Sequence, residues 1–520
     1  MTVLNLAAFE RETLRVASDT EVAHRRRASR DKMSAPEKPT SAGLSTAPLV
    51  SDASDDCPDD CQSGSQLNKT EKLRSSEGVG RDERGTLIVT EAEARALEAI
   101  NATQRGFCVR DGRKLSLAMH CGLVFLTREN GAASNATGIG STGVTLEILP
   151  KLWGGVGSER EGASTLAGTG TTHERRREIG RARQALLHLL RGSEELRLRT
   201  LDVAPQDAER APLLDLFIRS FLREALRVAK GGLLTRYIET TSDMPLLRGR
   251  PLLVDSERLA LRRPNLWRCS HDDLSVDNPY NRALFAAVER CRTHLRRRTT
   301  ERLWLEVRAF FGEVSCIQMG AEYIDRLTRG RESARYDEAL RWARLLLGLL
   351  SPSLAGGVSP APALLFNMQD IFERWVARRE RDQAPDGMIV AFKGSTRNLA
   401  KVGRGGASAG GPSIPLREVF QQRPDLLIWP PGVSPSHGSP EAIIDAKWKV
   451  LKPTRLDWGV DEDDARQVLV YLMRYGCQRA KLAYPVLSGS QLPADGPPTF
   501  WIDTATGTVS IEVALVPIDV

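Results

Sequence analysis

The sequence predicts an α/β multidomain protein: a β-rich N-terminal domain, a central helical region and a C-terminal α/β sheet domain. Three observations carry this reading. At 520 residues the chain is too long for one ordinary domain. Its apolar pattern changes twice, from short runs before residue 153, to a 3.6-residue period up to about residue 350, to strands mixed with helices thereafter. Stretches rich in Gly, Pro and Ser, with few large apolar residues, fall where the pattern changes.

Residues 1–19 include Val3–Leu6, which predicts a first strand of the N-terminal domain. Residues 20–85 are rich in Ser, Asp, Glu, Pro, Arg and Gly and lack the apolar surface that offsets ordering entropy, so a disordered insertion is expected there. Residues 86–172 form the β-rich domain: a strand at Thr86–Thr90, a helix at Glu91–Ile100, strands at Val124–Leu126 and Val144–Leu149, then a Gly/Ser/Thr linker over 154–172. Residues 173–350 read as helices at 174–192, 213–229, 279–311 and 333–350. Arg290–Arg302 carries seven basic residues counting His294, and two readings stay open for it, a solvated helix face or a surface that tracks phosphates.

A Pro- and Gly-rich stretch at 351–362 marks the last boundary, so that 351–520 is the C-terminal domain. It predicts a helix at Leu364–Arg379 and strands at Met388–Phe392, Asp425–Trp429 and Ala442–Val450. A helix at Asp463–Tyr475 follows, then strands at Lys481–Val486, Thr499–Ile502 and Val509–Val516. Gly403–Gly411 and Pro430–Pro440 read as loops.

A net charge of +7 leans mildly toward an acidic partner. Cys108, Cys121, Cys269, Cys291, Cys316 and Cys477 sit singly, as free thiols of a reducing compartment do, and the Cys57/Cys61 pair lacks the further ligands a metal clip needs. There is no apolar run of membrane-spanning length and no signal-peptide pattern, so no membrane partner and a cytoplasmic location are expected. No GxxxxGK[ST] loop occurs, which assigns any nucleotide hydrolysis to another polypeptide.

The chemistry concentrates in Arg423-Pro424-Asp425 and Asp445-Ala446-Lys447. Each lies on a predicted apolar strand, and residues i and i+2 of a strand share a face, so Asp445 and Lys447 project together. Asp425 and Asp445 can hold a hard, oxygen-seeking cation, Mg²⁺ or Mn²⁺, while the lysine neutralises charge or positions a water. That combination suits phosphodiester hydrolysis. Gln467 and Tyr471 stand at i and i+4 on the next helix, placed to hydrogen-bond DNA or fix the lysine. Glu373 could complete the acidic cluster from the helix that opens the domain, with Asp370 the competing candidate.

Asp425…Asp445-Ala446-Lys447 resembles the PD-(D/E)xK nuclease motif, and Gln467…Tyr471 is similar to the extension of its recombination-nuclease branch. Gly143–Lys151, Gly232–Glu239, Leu246–Arg250, Asp277–Arg282 and Leu365–Arg374 resemble, in order along the chain, the McrC family. McrC is the nuclease subunit of the modified-cytosine restriction system. The resemblance implies a restriction-endonuclease-like C-terminal fold, with Asp425, Asp445, Lys447 and Glu373 as its catalytic residues. It also implies a hexameric AAA+ GTPase partner of the McrB type, docked on the N-terminal part, and double-stranded DNA carrying modified cytosine as substrate. Residues 20–85, 154–172 and 430–440 depart from the family as insertions. Two readings of other classes stand beside this one: a non-catalytic activator of an AAA+ GTPase, and a stand-alone DNA-repair nuclease.

Overall fold

The computed structural model describes residues 4–18, 20–23, 86–126, 144–151, 172–193, 211–328, 330–350, 362–402, 417–433, 438–488, 490, 492–505 and 507–519. Most of the expected insertion at 20–85, nearly all of the 154–172 linker, the Gly403–Gly411 loop and the Cys57/Cys61 pair lie outside them.

Two small sheets build the N-terminal part. One takes β1 (Leu4–Phe9), β6 (His120–Leu126), β7 (Val144–Leu149) and β11 (Ala363–Asn367) in the order β1-β7-β6-β11; β1 and β7 are parallel, the other pairs antiparallel. The other takes β2 (Thr13–Ala17), β3 (Ile88–Thr90), β4 (Cys108–Asp111) and β5 (Lys114–Leu117) in the order β3-β2-β5-β4. The predicted first strand thus joins the domain across the insertion, paired in register with β7 from Leu4↔Val144 to Phe9↔Leu149. Side-chain alternation on β1 serves two cores: Leu6 and Ala8 face a core shared by the two sheets, Ala7 and Phe9 a larger one under the helices. Helix α1 (Glu91–Ala99) begins at a capping box, in which Thr90 and Glu93 bond reciprocally to each other's backbone.

The helical region comprises α2 (Thr172–Gly192), α3 (Leu213–Lys230), α4 (Leu253–Ala260), α5 (Pro279–Cys291), α6 (Arg298–Ala309), α7 (Ala321–Asp325) and α8 (Asp337–Leu350). Two family-like segments prove to be structural devices here. Glu147 on β7 pairs with buried Arg183 at 2.9 Å and accepts the N–H of Leu213 at 2.9 Å, closing the start of α3. Asn278 caps α5, Asn281 donates to the carbonyls of Leu234 and Val276, and Arg282 grips Asp277 at 2.6 Å.

Three readings need correction. The central region is not wholly helical: β8 (Arg236–Met244), β9 (Arg250–Pro251) and β10 (Trp267–Ser275) form an antiparallel sheet in the order β8-β10-β9. These strands bury little, so their sequences lack the apolar alternation that announces a strand. Residues 279–311 break between α5 and α6 around a 3₁₀ turn at Arg292–His294. The segment Leu364–Arg379 is a strand followed by a helix: Ala363–Asn367 pairs with β6, and only at Met368 does α9 (Met368–Gln383) begin, capped by the Asn367 side chain. Gly122 of β6 makes this pairing possible, because its φ of +143° and the Leu364 carbonyl against it leave no room for a Cβ.

The C-terminal sheet has six strands: β12 (Ile389–Phe392), β15 (Leu426–Trp429), β16 (Ala442–Ala446), β17 (Arg479–Val486), β18 (Thr499–Thr504) and β19 (Gly507–Pro517), with β13 (Arg397–Val402) and β14 (Arg417–Gln422) as a separate hairpin. The order is β12-β15-β16-β17-β19-β18, parallel across β16-β17-β19 and antiparallel elsewhere. Helix α9 packs on one face with Leu426, Ile444 and Ala446; α10 (Glu462–Tyr475) packs on the other with Leu427, Ile443 and Leu482. The core under α9 is continuous with that of the helical region, so residues 366–377 do not stand apart from 173–350. Among the described residues no helix is long and apolar enough to cross a membrane. Of the described cysteines, Cys108, Cys121, Cys269, Cys291 and Cys477 are buried and Cys316 is exposed, all of them free.

Candidate nuclease centre

The centre forms where β15 begins and β16 ends. Leu426 pairs with Ile444 across these antiparallel strands, so the next step of the ladder sets Asp425 opposite Asp445. Asp425 also accepts the N–H of Ala446 at 2.9 Å through its own carboxylate. Asp445 is buried, and Lys447, two residues on, returns to pair with it at 2.8 Å.

Helix α10 supplies the next layer. Lys447 donates to Gln467 Oε1 at 2.9 Å, and Gln467 Nε2 donates to the Tyr471 hydroxyl at 2.7 Å. The two residues one helical turn apart therefore form a relay that ends on the lysine. Burial and the nearby Asp445 push the Tyr471 phenol up to about 12, so it stays protonated. Asp464, one turn before Gln467, is buried and lies 3.4 Å from Lys447 and 2.6 Å from Lys449. Its spacing to Gln467 and Tyr471 was a legible signal that sequence reasoning passed over.

Helix α9 brings Glu373. This carboxylate is buried, accepts from Gln369 at 3.0 Å and pairs at 2.6 Å with Lys393, which follows β12. Asp370, the competing candidate, is more exposed and stands 3.9 Å from the same lysine. Between the two, the structure places Glu373 in the cluster. Lys393 itself was not foreseen; it has a left-handed backbone (φ 45°), and its N–H donates to the Asp425 carbonyl at 2.7 Å.

The electrostatics are those of crowded carboxylates. Burial, then the charges of Asp445 and Glu373, hold the Asp425 carboxyl well above its ordinary range. Asp445 is raised as well, chiefly by burial and against the pull of Lys447. Burial works against the Lys447 ammonium, but Asp445 and Asp464 outweigh it and leave the group firmly charged.

Asp445 Oδ2 and Glu373 Oε2 are buried, and each meets a lysine ammonium, Lys447 at 2.8 Å and Lys393 at 2.6 Å. Among the described residues no three acidic, histidine or cysteine side chains stand close enough to hold a metal ion in this arrangement. The donor set is nonetheless all oxygen, with buried carboxylates whose charges crowd one another, and this fits a hard divalent cation.

The sequence profile of the McrBC 5-methylcytosine restriction system component family matches residues 133–485. No curated protein matches. Among solved structures, the refined half-complex from a tetradecameric assembly of Thermococcus gammatolerans McrB AAA+ hexamers with bound McrC is similar with a TM-score of 0.55 and 15% identity, over 82% of this chain and 89% of that one. The cryo-EM structure of the Thermococcus gammatolerans McrBC complex is matched with a TM-score of 0.37 and 14% identity, over 72% of this chain and 86% of that one. The profile spans more than half of the chain, which therefore belongs to the McrBC 5-methylcytosine restriction system component family, as a member of the McrC type.

Proposed function

We propose that this chain is the Mg²⁺- or Mn²⁺-dependent DNA endonuclease subunit of a McrBC-like restriction system, with a PD-(D/E)xK centre in residues 351–520. The observation that carries the proposal is the meeting of Asp425, Asp445 and Lys447 at the ends of adjacent strands, with Lys447 tethered to Gln467 and through it to Tyr471. Asp425 and Asp445 would hold the cation, with Glu373 beside them. Such an ion supplies Lewis-acid polarisation of the phosphate and an activated water. Lys447, kept charged by Asp445 and Asp464, neutralises charge that develops on the phosphate oxygens, and the Gln467–Tyr471 relay fixes its direction.

The same proposal includes a partner, an AAA+ GTPase hexamer of the McrB type that switches cleavage on and whose GTP hydrolysis this chain stimulates. Support comes from the family and from the missing phosphate-binding loop. Docking by the part of the chain before residue 350 agrees with the exposure of Leu246, Leu247, Leu253, Val254 and Leu261 on and around the β8–β10 sheet. Double-stranded DNA carrying modified cytosine is the substrate that the family description suggests.

Asp445→Ala tests the centre. Loss of a metal-holding carboxylate should reduce cleavage by about 10³-fold or more in Mg²⁺, with partner binding and thermal unfolding near those of the unmodified chain. Cleavage by the variant at close to the original rate would sink the assignment. An unmodified chain that stimulates GTP hydrolysis but never cuts DNA would favour a non-catalytic activator instead.

A further inference from the structure

Trp448 follows Lys447 directly and is completely buried. Its polar groups are all taken by other elements. The backbone N–H donates to Gln369 Oε1 at 2.9 Å, the indole N–H donates to Glu10 Oε1 at 2.6 Å, and the carbonyl accepts from Arg11 at 3.2 Å. The indole ring tilts against Phe372, with centroids 5.4 Å apart, and Phe372 is the residue before Glu373.

Gln369 completes the arrangement. Its Nε2 donates to the Ala446 carbonyl at 2.6 Å and to Glu373 at 3.0 Å. One amide therefore holds the peptide groups on both sides of Lys447 and the Glu373 carboxylate together. Glu10 and Arg11 come from the turn between β1 and β2, remote in sequence. Glu10 is buried, its N–H donates to the Leu149 carbonyl, and it accepts the N–H of Lys151 at 3.3 Å as well as the indole. A buried carboxylate is costly to keep, and the chemistry at Asp445 does not account for this one. What it does reach is the residue next to the lysine.

We infer that Trp448 is a positioning residue that sets Lys447 and Glu373 relative to each other, and that Glu10 of the turn between β1 and β2 is its anchor. The inference rests on reading the site as a nuclease centre. The N-terminal sheet, which also carries β11 just before the Glu373 helix, is then part of the support of the centre. Misplacement of a catalytic group by a fraction of an ångström costs rate without costing substrate affinity.

The test uses the full chain with a McrB-type partner, GTP, Mn²⁺ and DNA containing 5-methylcytosine. Glu10→Ala and Trp448→Phe each remove the indole bond, whereas Glu10→Gln keeps an acceptor. The first two should lower kcat by about ten-fold or more with KM for DNA within about two-fold, and Glu10→Gln should retain most of the activity. The double variant should be no worse than the poorer single one, because both remove the same bond. Hydrogen exchange of the amides at 445–449 in the metal-free chain should quicken in Glu10→Ala and Trp448→Phe and not in Glu10→Gln.

Unchanged exchange and unchanged kcat in Trp448→Phe would overturn the inference. So would a fall in activity that merely tracks the folded fraction, since that is what a structural role predicts. Asp445→Ala run alongside separates the two levels: if it cuts DNA normally the nuclease reading fails, while the exchange of 445–449 still decides whether Glu10 anchors the strand.

Discussion

Asp425 and Asp445 sit where two negative charges are hardest to keep. Burial raises both carboxyls, and Asp445 and Glu373 raise Asp425 further. A carboxyl whose proton is held in the metal-free chain must release it to take a cation. Mn²⁺ binding should therefore liberate protons, and its apparent affinity should grow as pH rises above the ordinary carboxylate range. Calorimetric titration in buffers of different ionisation enthalpy measures the release; a binding heat independent of buffer would contradict it. Glu10, pushed up to about 7 by burial, has a related sign. Its folded form binds the proton more tightly than the unfolded chain, so its contribution to stability is full below about pH 4.5 and is lost as pH rises through 7. Glu10→Gln should flatten that part of the profile of unfolding midpoint against pH, and an unaltered profile would contradict the assignment. The sequence showed Asp445 beside Lys447, and Gln467 beside Tyr471, because strand and helix periods place them together without knowledge of the rest. Lys393, Gln369, Trp448 and Glu10 were not legible, because each gains its place from residues far along the chain.

Helix α9 is the element on which the halves of the chain meet. It carries Glu373 and Gln369 toward the sheet and packs its other side against α2. The end of α2 approaches so closely that Gly192 lies under the Trp375 ring, where a Cβ would collide with it. Trp375 in turn donates to the Pro517 carbonyl at 3.1 Å, and Arg378 reaches the Arg191 carbonyl. Gly192→Ala should push α2 from α9 and destabilise the protein by about 1–3 kcal/mol, readable as a lower midpoint of unfolding. No change in the midpoint would mean that the helices separate freely. The misread strand at Ala363–Asn367 illustrates what sequence periodicity withholds. Its four apolar letters run directly into a helical pattern, and what makes them a strand is the edge of β6 more than two hundred residues earlier. By contrast β7 and α10 announced themselves, the one by apolar residues alternating at Val144, Leu146 and Ile148 and the other by an acidic first turn and a closing Gly476 at φ 64°.

At the scale of the molecule, the Pro/Gly stretch at 351–362 marks a change of sequence pattern more than a division of cores. Leu186, Phe217 and Leu346 belong to the same apolar cluster as Phe366, Phe372, Trp448 and Val516. A chain ended near residue 350 would lose β11 from its sheet edge and expose this surface. It should melt well below the full chain or aggregate, as thermal unfolding and light scattering would record; a fragment as stable as the whole would show that the helical region folds by itself. The bond between Glu10 and Trp448 adds a consequence in time. It joins residues 438 apart, a very long loop to close. During synthesis the turn that carries Glu10 waits, its carboxylate unengaged, until Trp448 has followed. A polypeptide stopped before Trp448 therefore lacks the fastening beside the lysine, and on the proposed nuclease reading its centre cannot take shape before that residue is made.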